Sequence, residues 1–148
     1  MGDVFPALTG EALSGKAIAL PYTNGHKATI VVFSFSKTGG DDARLWNERL
    51  SREVDTTGGR VVLVLGLQAV PRLIRGVMVI GIKRGVPPNV RDRMLVVYHD
   101  QDVWKRRLAV TEMERSYVIL VDANGRVGWK SAGPYGEHSF LELRSKLR

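Results

Sequence analysis

The feature that most constrains this chain is a set of short, nearly uninterrupted apolar runs separated by stretches of helical spacing. Ala28 to Phe35, rich in Val, Ile and Phe, suits a strand covered on both faces, and Val61 to Leu65 and Met94 to Tyr98 read as further strands. Between the first two, Ala43, Trp46, Leu50 and Val54 recur at spacings of three and four. That spacing predicts a helix with one stripe turned to the sheet. Ser36 to Gly40 breaks the pattern before it. Asp41 and Asp42 offer acceptors and negative charge at a helix start, and Gly58 and Gly59 mark its end.

Pro71 stands near the start of a second helical pattern through Leu73, Ile74, Val77, Met78 and Ile80 to Ile82, which Gly76, Gly81 and Gly85 weaken and Pro87-Pro88 stop. Asp100 is placed to cap a short helix carrying Val103, Trp104 and Leu108. Tyr117 to Val121 and Val127 to Lys130 flank Asp122-Ala-Asn-Gly125, whose Asn-Gly pair predicts a tight hairpin turn. Phe140, Leu143 and Leu147 indicate a closing helix. Residues 1–27, with Gly10, Gly15 and two prolines, read as an extended, turn-rich lead-in. Right-handed crossovers between buried strands then give an α/β fold with a mixed central sheet and helices on both faces. Ala28 to Phe35 is expected at the centre, and a C-terminal hairpin plus helix closes a single domain over residues 1–148.

Several chemistries are excluded by composition. The sequence contains no cysteine, so it supplies no thiolate nucleophile, disulfide or sulfur ligand. His26, His99 and His138, even with Asp41, Asp42, Asp100 and Asp102, show no metal-ligand spacing, and neither a metal nor a cofactor is expected. No apolar run approaches the roughly 20 residues that cross a bilayer. Asp3 and Pro6 stand where a secretory leader would be basic and then apolar. The net charge of +7 permits attraction to anionic lipid, nucleic acid or acidic protein. No nucleic-acid module or pattern of stacking aromatics accompanies that charge, so nucleic acid is not the expected partner.

Val31-Val-Phe-Ser-Phe-Ser-Lys-Thr-Gly-Gly-Asp41 resembles the strand and redox loop of thioredoxin-like proteins, with Thr38 and Asp41 in the two cysteine positions. Tyr117 to Trp129 resembles the strand, Asp-x-x-Gly turn and strand of the same superfamily. Ser116 stands near the place where those proteins usually carry a cis-proline. The resemblance implies a thioredoxin-like three-layer sandwich without its redox apparatus, because a threonine hydroxyl gains little nucleophilicity without a base beside it. A narrower likeness is to the mitochondrial ATP synthase assembly-factor family and its bacterial relatives. It lies in Phe5-Pro-Ala-Leu-Thr-Gly-Glu-Ala-Leu-Ser-Gly-Lys16, in Leu20-Pro21 and in Val127-Gly-Trp-Lys-Ser-Ala-Gly133. It implies a non-enzymatic helper contacting membrane-sector subunits, at the mitochondrial inner membrane or a bacterial membrane.

No catalytic constellation is found, and a protein partner is the leading expectation. Lys37, Thr38, Gly39 and Gly40 form a candidate loop for a small anionic ligand ahead of a helix start. Arg72, Arg75, Lys83, Arg84, Arg91 and Arg93, around an apolar middle, form a candidate surface for a hydrophobic partner or an anionic membrane. The alternative there is a core helix with snorkelling basic side chains. Trp46, Trp104 and Trp129 are expected as core or interface anchors, and Asp122 as a turn residue.

Overall fold

The computed structural model describes residues 4–5, 8–20, 28–53, 61–68, 70–98, 101–107, 115–132 and 134–146. Among them lie the strands β1 (Leu8–Ala12), β2 (Ala17–Leu20), β3 (Thr29–Ser34), β4 (Val61–Gly66), β5 (Met94–Val97), β6 (Tyr117–Val121) and β7 (Val127–Ala132). The helices are α1 (Lys37–Glu53), α2 (Arg72–Arg84), α3 (Pro88–Arg91), α4 (Gln101–Arg107) and α5 (Glu137–Lys146). The strands form one mixed sheet in the order β2-β1-β5-β4-β3-β6-β7. β3, β4 and β5 run parallel, while β6 pairs antiparallel with β3, β7 with β6, and β1 with both β2 and β5.

The chain steps from β3 to β4 to β5 in one direction across the sheet, so right-handed crossovers place α1 and α2 on the same face. Side-chain parity agrees. Val61, Leu63 and Leu65 alternate onto that face of β4; the first two pack with α1 and the third with α2. α5 joins this layer through Phe140 and Leu143, and α3 through Val90. The opposite face, formed by Val31, Phe33, Val62, Val64, Leu95, Val97 and Ile119, is covered by Phe5 and by Trp104 of α4. Trp104 sits 5.2 Å from the Phe5 ring and 5.3 Å from Phe33, centroid to centroid. Trp46, Trp104 and Trp129 are all buried, as core anchors should be.

Three expectations change. The 1–27 lead-in contributes two strands of the sheet: Leu8 and Ala12 on β1, and Ile18 and Leu20 on β2, alternate inward. A reversal with Gly15 at φ 93° joins them. Gly10 belongs to this pairing and not to a turn, since a Cβ there would meet Leu95 Cδ1 at 2.9 Å and the Val96 carbonyl at 3.2 Å. Ala28 to Phe35 supplies an interior strand buried along its whole length, but the middle of the order is β4. α1 begins at Lys37, so Lys37 to Gly40 form a first helical turn and not a loop, with the Gly40 N–H donating to the Ser36 carbonyl at 2.8 Å. Each glycine costs about 1 kcal/mol in a helix relative to alanine, which burial of Ala43, Trp46 and Leu50 further along offsets. The expected second helix forms as α2, running through Gly76 and Gly81 and ending before Pro87-Pro88, and a short α3 starting on Pro88 follows it.

The hairpin turn forms as its residues dictate. Gly125 takes φ 80°, and the Asp122 carboxylate accepts from the N–H groups of Asn124 and Arg126 at 2.9 Å each. Val54, Gly58, Gly59, Leu108 and Leu147 lie outside the described residues.

Candidate functional site

Two places carry the sequence-predicted residues: the N-terminal end of α1 and the surface of α2. At α1, Thr38 falls in the first turn and Asp41 follows on an exposed position. Ser116 is buried just ahead of β6 and donates its hydroxyl to Asp42 Oδ2. The other carboxylate oxygen accepts the Tyr135 N–H at 2.6 Å. Asp42 therefore ties three parts of the chain together: α1, the start of β6, and the segment between β7 and α5. The sequence suggested a cap for this residue, and it serves as a cross-brace instead.

The candidate anion-loop residues Lys37, Thr38, Gly39 and Gly40 form the first turn of α1, ahead of this brace. The Gly40 N–H makes the first bond of the helical ladder, to the Ser36 carbonyl, and Asp41 and Asp42 lie beyond the first turn.

Further along α1, Arg49 reaches α5. Its guanidinium donates to Glu137 through both terminal nitrogens, with the Nη2 to Oε1 distance at 2.9 Å, and lies 4.2 Å from the centroid of the Phe140 ring. Its bond to Glu137 is the main cause of its raised pKa, and the same bond holds the Glu137 carboxyl below its ordinary value. Trp46 meets the Tyr135 ring edge-on at 5.2 Å. α1 is thus fastened on its polar side as well as its apolar one. The sequence pairs none of these residues, which lie far apart along it.

The basic set on and after α2 divides. Arg93 is buried and donates to Asn47 Oδ1 at 2.8 Å and Ser51 Oγ at 3.3 Å on α1, so it is not a surface residue. Its pKa is lowered by burial. Arg75 turns back to the carbonyls of Val70 and Gln68, at 2.8 and 2.9 Å, and lies 5.1 Å from the Tyr98 ring centroid. Arg91 donates to the carbonyls of Lys83 and Val86, at 3.1 and 2.9 Å, closing the C-terminal end of α2. Arg72, Lys83 and Arg84 stay exposed.

α2 itself is not a core helix. Met78, Val79 and Ile82 pack half-buried towards Leu13, Leu67 and Val96, yet none of its residues is fully buried. Leu73 is 96% exposed, Val77 74%, Ile80 54% and Ile74 52%, which leaves a continuous aliphatic stripe facing outward. A helix apolar on both sides is normally covered on both. Exposed contiguous apolar surface of this kind marks interaction sites.

Among the described residues, no group of three His, Asp or Glu side chains is placed to hold a metal ion, and no helix is long and apolar enough to cross a membrane. His26, His99 and Asp100 lie outside the described residues.

Comparison with solved structures settles the architecture. The exposed lipoprotein thioredoxin of Streptococcus pneumoniae superposes with a TM-score of 0.65 at 14% identity, over 96% of this chain and 100% of that one. The fold is thioredoxin-like. A thiol:disulfide interchange protein of the thioredoxin family from Chlorobium tepidum matches with a TM-score of 0.61 at 13% identity, over 99% of this chain and 97% of its own. BsSco, a member of the Sco family of cytochrome c oxidase assembly proteins, gives 0.62 at 13% identity, over 98% and 94%. No protein-family model matches this sequence, and no curated protein matches it. The thioredoxin-like sheet and helices are therefore shared with redox proteins, while the thiols of thiol–disulfide exchange are missing from this chain.

Proposed function

We propose that this chain is a non-catalytic thioredoxin-like module that binds a protein partner as an assembly helper. The observation that carries the reading is the outward aliphatic stripe of α2, which calls for cover from outside the chain, as a helper working beside a membrane-embedded partner would have. A domain of this size that packs Val31 and Val61 with no exposure at all, yet displays Leu73, Ile74, Val77 and Ile80, has a contact surface and not a packing fault. The absence of cysteine removes the chemistry usual on this scaffold, and Asp42, next to the second redox-loop position, braces the fold.

The partner we favour is the membrane sector of ATP synthase, at the mitochondrial inner membrane or a bacterial membrane. The support is the likeness of Phe5 to Lys16, Leu20-Pro21 and Val127 to Gly133 to the ATP synthase assembly factors. A fold neighbour that belongs to a family of oxidase assembly proteins is in keeping with a helper role. The test is co-purification of the tagged protein from gently solubilised membranes of its own source. Enrichment of ATP synthase membrane-sector subunits, lost with Val77→Asp, is the expected result. Recovery of those subunits at background level would overturn the assignment.

A further inference from the structure

We infer that the outer face of α2 is a lipid-docking surface, built to rest in the interface of an anionic bilayer. This rests on the reading that the protein works beside a membrane, and specifies how it is held there. Leu73, Val77 and Ile80 follow one another at spacings of four and three, so they form one stripe along the helix, with Ile74 at its margin. Arg72 and Lys83 are separated by about three turns and therefore line the same flank of that stripe. Arg84 stands at its C-terminal end. Aliphatic groups face outward while flexible cationic side chains border them, which is how an interfacial helix seats itself among headgroups.

Charge identifies the occupant. From Thr56 to Arg91 the sequence holds no Asp or Glu, whereas α2 alone carries Arg72, Arg75, Lys83 and Arg84. A surface evolved for a protein usually centres on aromatic anchors and is poor in lysine. α2 has only aliphatic side chains on its outer stripe, and its bordering charges are all positive. Such a surface complements a sheet of acyl chains under anionic headgroups.

The helix is also held ready. Arg75 ties its N-terminal half to the Val70 and Gln68 carbonyls, and Arg91 closes its last turn through the Lys83 and Val86 carbonyls. Met78, Val79 and Ile82 anchor the inner side. No folding step is then required at the membrane, unlike a disordered amphipathic segment that must order on binding.

The experiment is sedimentation of the purified full chain with vesicles of phosphatidylcholine alone or mixed with phosphatidylglycerol, at low and high salt. Binding to the mixed vesicles, with release in salt, is expected. Replacing Arg72, Lys83 and Arg84 by Gln removes about fivefold each and so weakens binding on the order of a hundredfold. Leu73→Asp should weaken it by at least about tenfold at unchanged charge elsewhere. Both variants alter exposed side chains, so an unchanged thermal midpoint verifies the fold. No binding to mixed vesicles, equal binding to neutral ones, or full binding by Leu73→Asp would overturn the inference. If vesicle binding fails while ATP synthase subunits still co-purify through α2, a protein covers this face and the helper reading stands. Vesicle binding without co-purification leaves the lipid surface and removes the helper.

Discussion

α1 and α2 lie on the same face of one sheet, each as a crossover between parallel strands, yet they are held in opposite ways. α1 buries Ala43, Trp46 and Leu50, and its remaining sides are fastened by Asp42, Asn47 and Arg49 to β6, to the residue before β5 and to α5. α2 rests on three half-buried side chains and leaves its larger apolar stripe in solvent. Apolar spacing therefore defines a stripe without saying what covers it. In α1 the covering is the sheet; in α2 the larger stripe stays in solvent, and cover from outside the chain is what we propose for it.

The sharpest way to break this contrast is to cut the two helices at matched points. Trp46→Ala should cost about 3–5 kcal/mol, because the indole is 1% exposed and the space cannot refill. Val77→Ala should stay within about 0.5 kcal/mol. Urea unfolding of both variants measures the difference. A loss at Val77 comparable to that at Trp46 would mean that the α2 stripe is covered within the protein.

Next in size is Asp42→Ala, which leaves the buried Ser116 hydroxyl and the Tyr135 N–H without their acceptor. An unsatisfied buried polar group costs about 1–3 kcal/mol. The loss should be of that order, and restoring a carbonyl acceptor with Asp42→Asn should recover part of it. A neutral Asp42→Ala variant would show that the Asp42 brace does not hold α1, leaving its polar fastening to Asn47 and Arg49, and would narrow the contrast with α2.

The same two helices show where the sequence was legible. The stripe of α1 could be read from its spacing, and β3 and β4 from their continuous runs, because those signals are local. The start of α1 could not, since Gly39-Gly40 argues locally for a loop and only burial further along the helix overrides it. The Asp42 brace joins residues 74 and 93 positions apart, beyond any local pattern. By charge Arg93 belongs with the α2 surface, but it turns inward to Asn47. For α2, glycines and apolar residues on both sides hid which stripe would face the sheet. The sequence of β1 and β2 reads as extended, but their places in the sheet depend on pairing with each other and with β5.

The inner side of α2 offers an intermediate test. Ile82→Ala removes a half-buried side chain packed in the cluster of Leu13, Leu67 and Val96. Half of a full truncation cost gives about 1–2 kcal/mol. If urea unfolding gives a value as small as that of Val77→Ala, α2 is attached mainly by Arg75 and Arg91 and not by packing.

The smallest effect is set by pH at the α1–α5 contact. Glu137 has its carboxyl pKa lowered, first by its hydrogen bond to Arg49, from an ordinary value of 4.5. A group lowered on folding adds stability above its unfolded pKa and gives it up as pH falls through the lower folded one. Wild type should therefore exceed Glu137→Gln in thermal midpoint at neutral pH, by a small margin because the pair is exposed. The two curves should converge as pH drops below 4.5. A His138→Gln control should leave that convergence unchanged, since His138 faces Glu142 at 3.8 Å and not Glu137. Parallel curves down to acid would mean that the Arg49 contact with Glu137 does not hold α1 to α5. The Arg49 guanidinium over Phe140 would then be the remaining link between those side chains, a packing contact that acid does not touch.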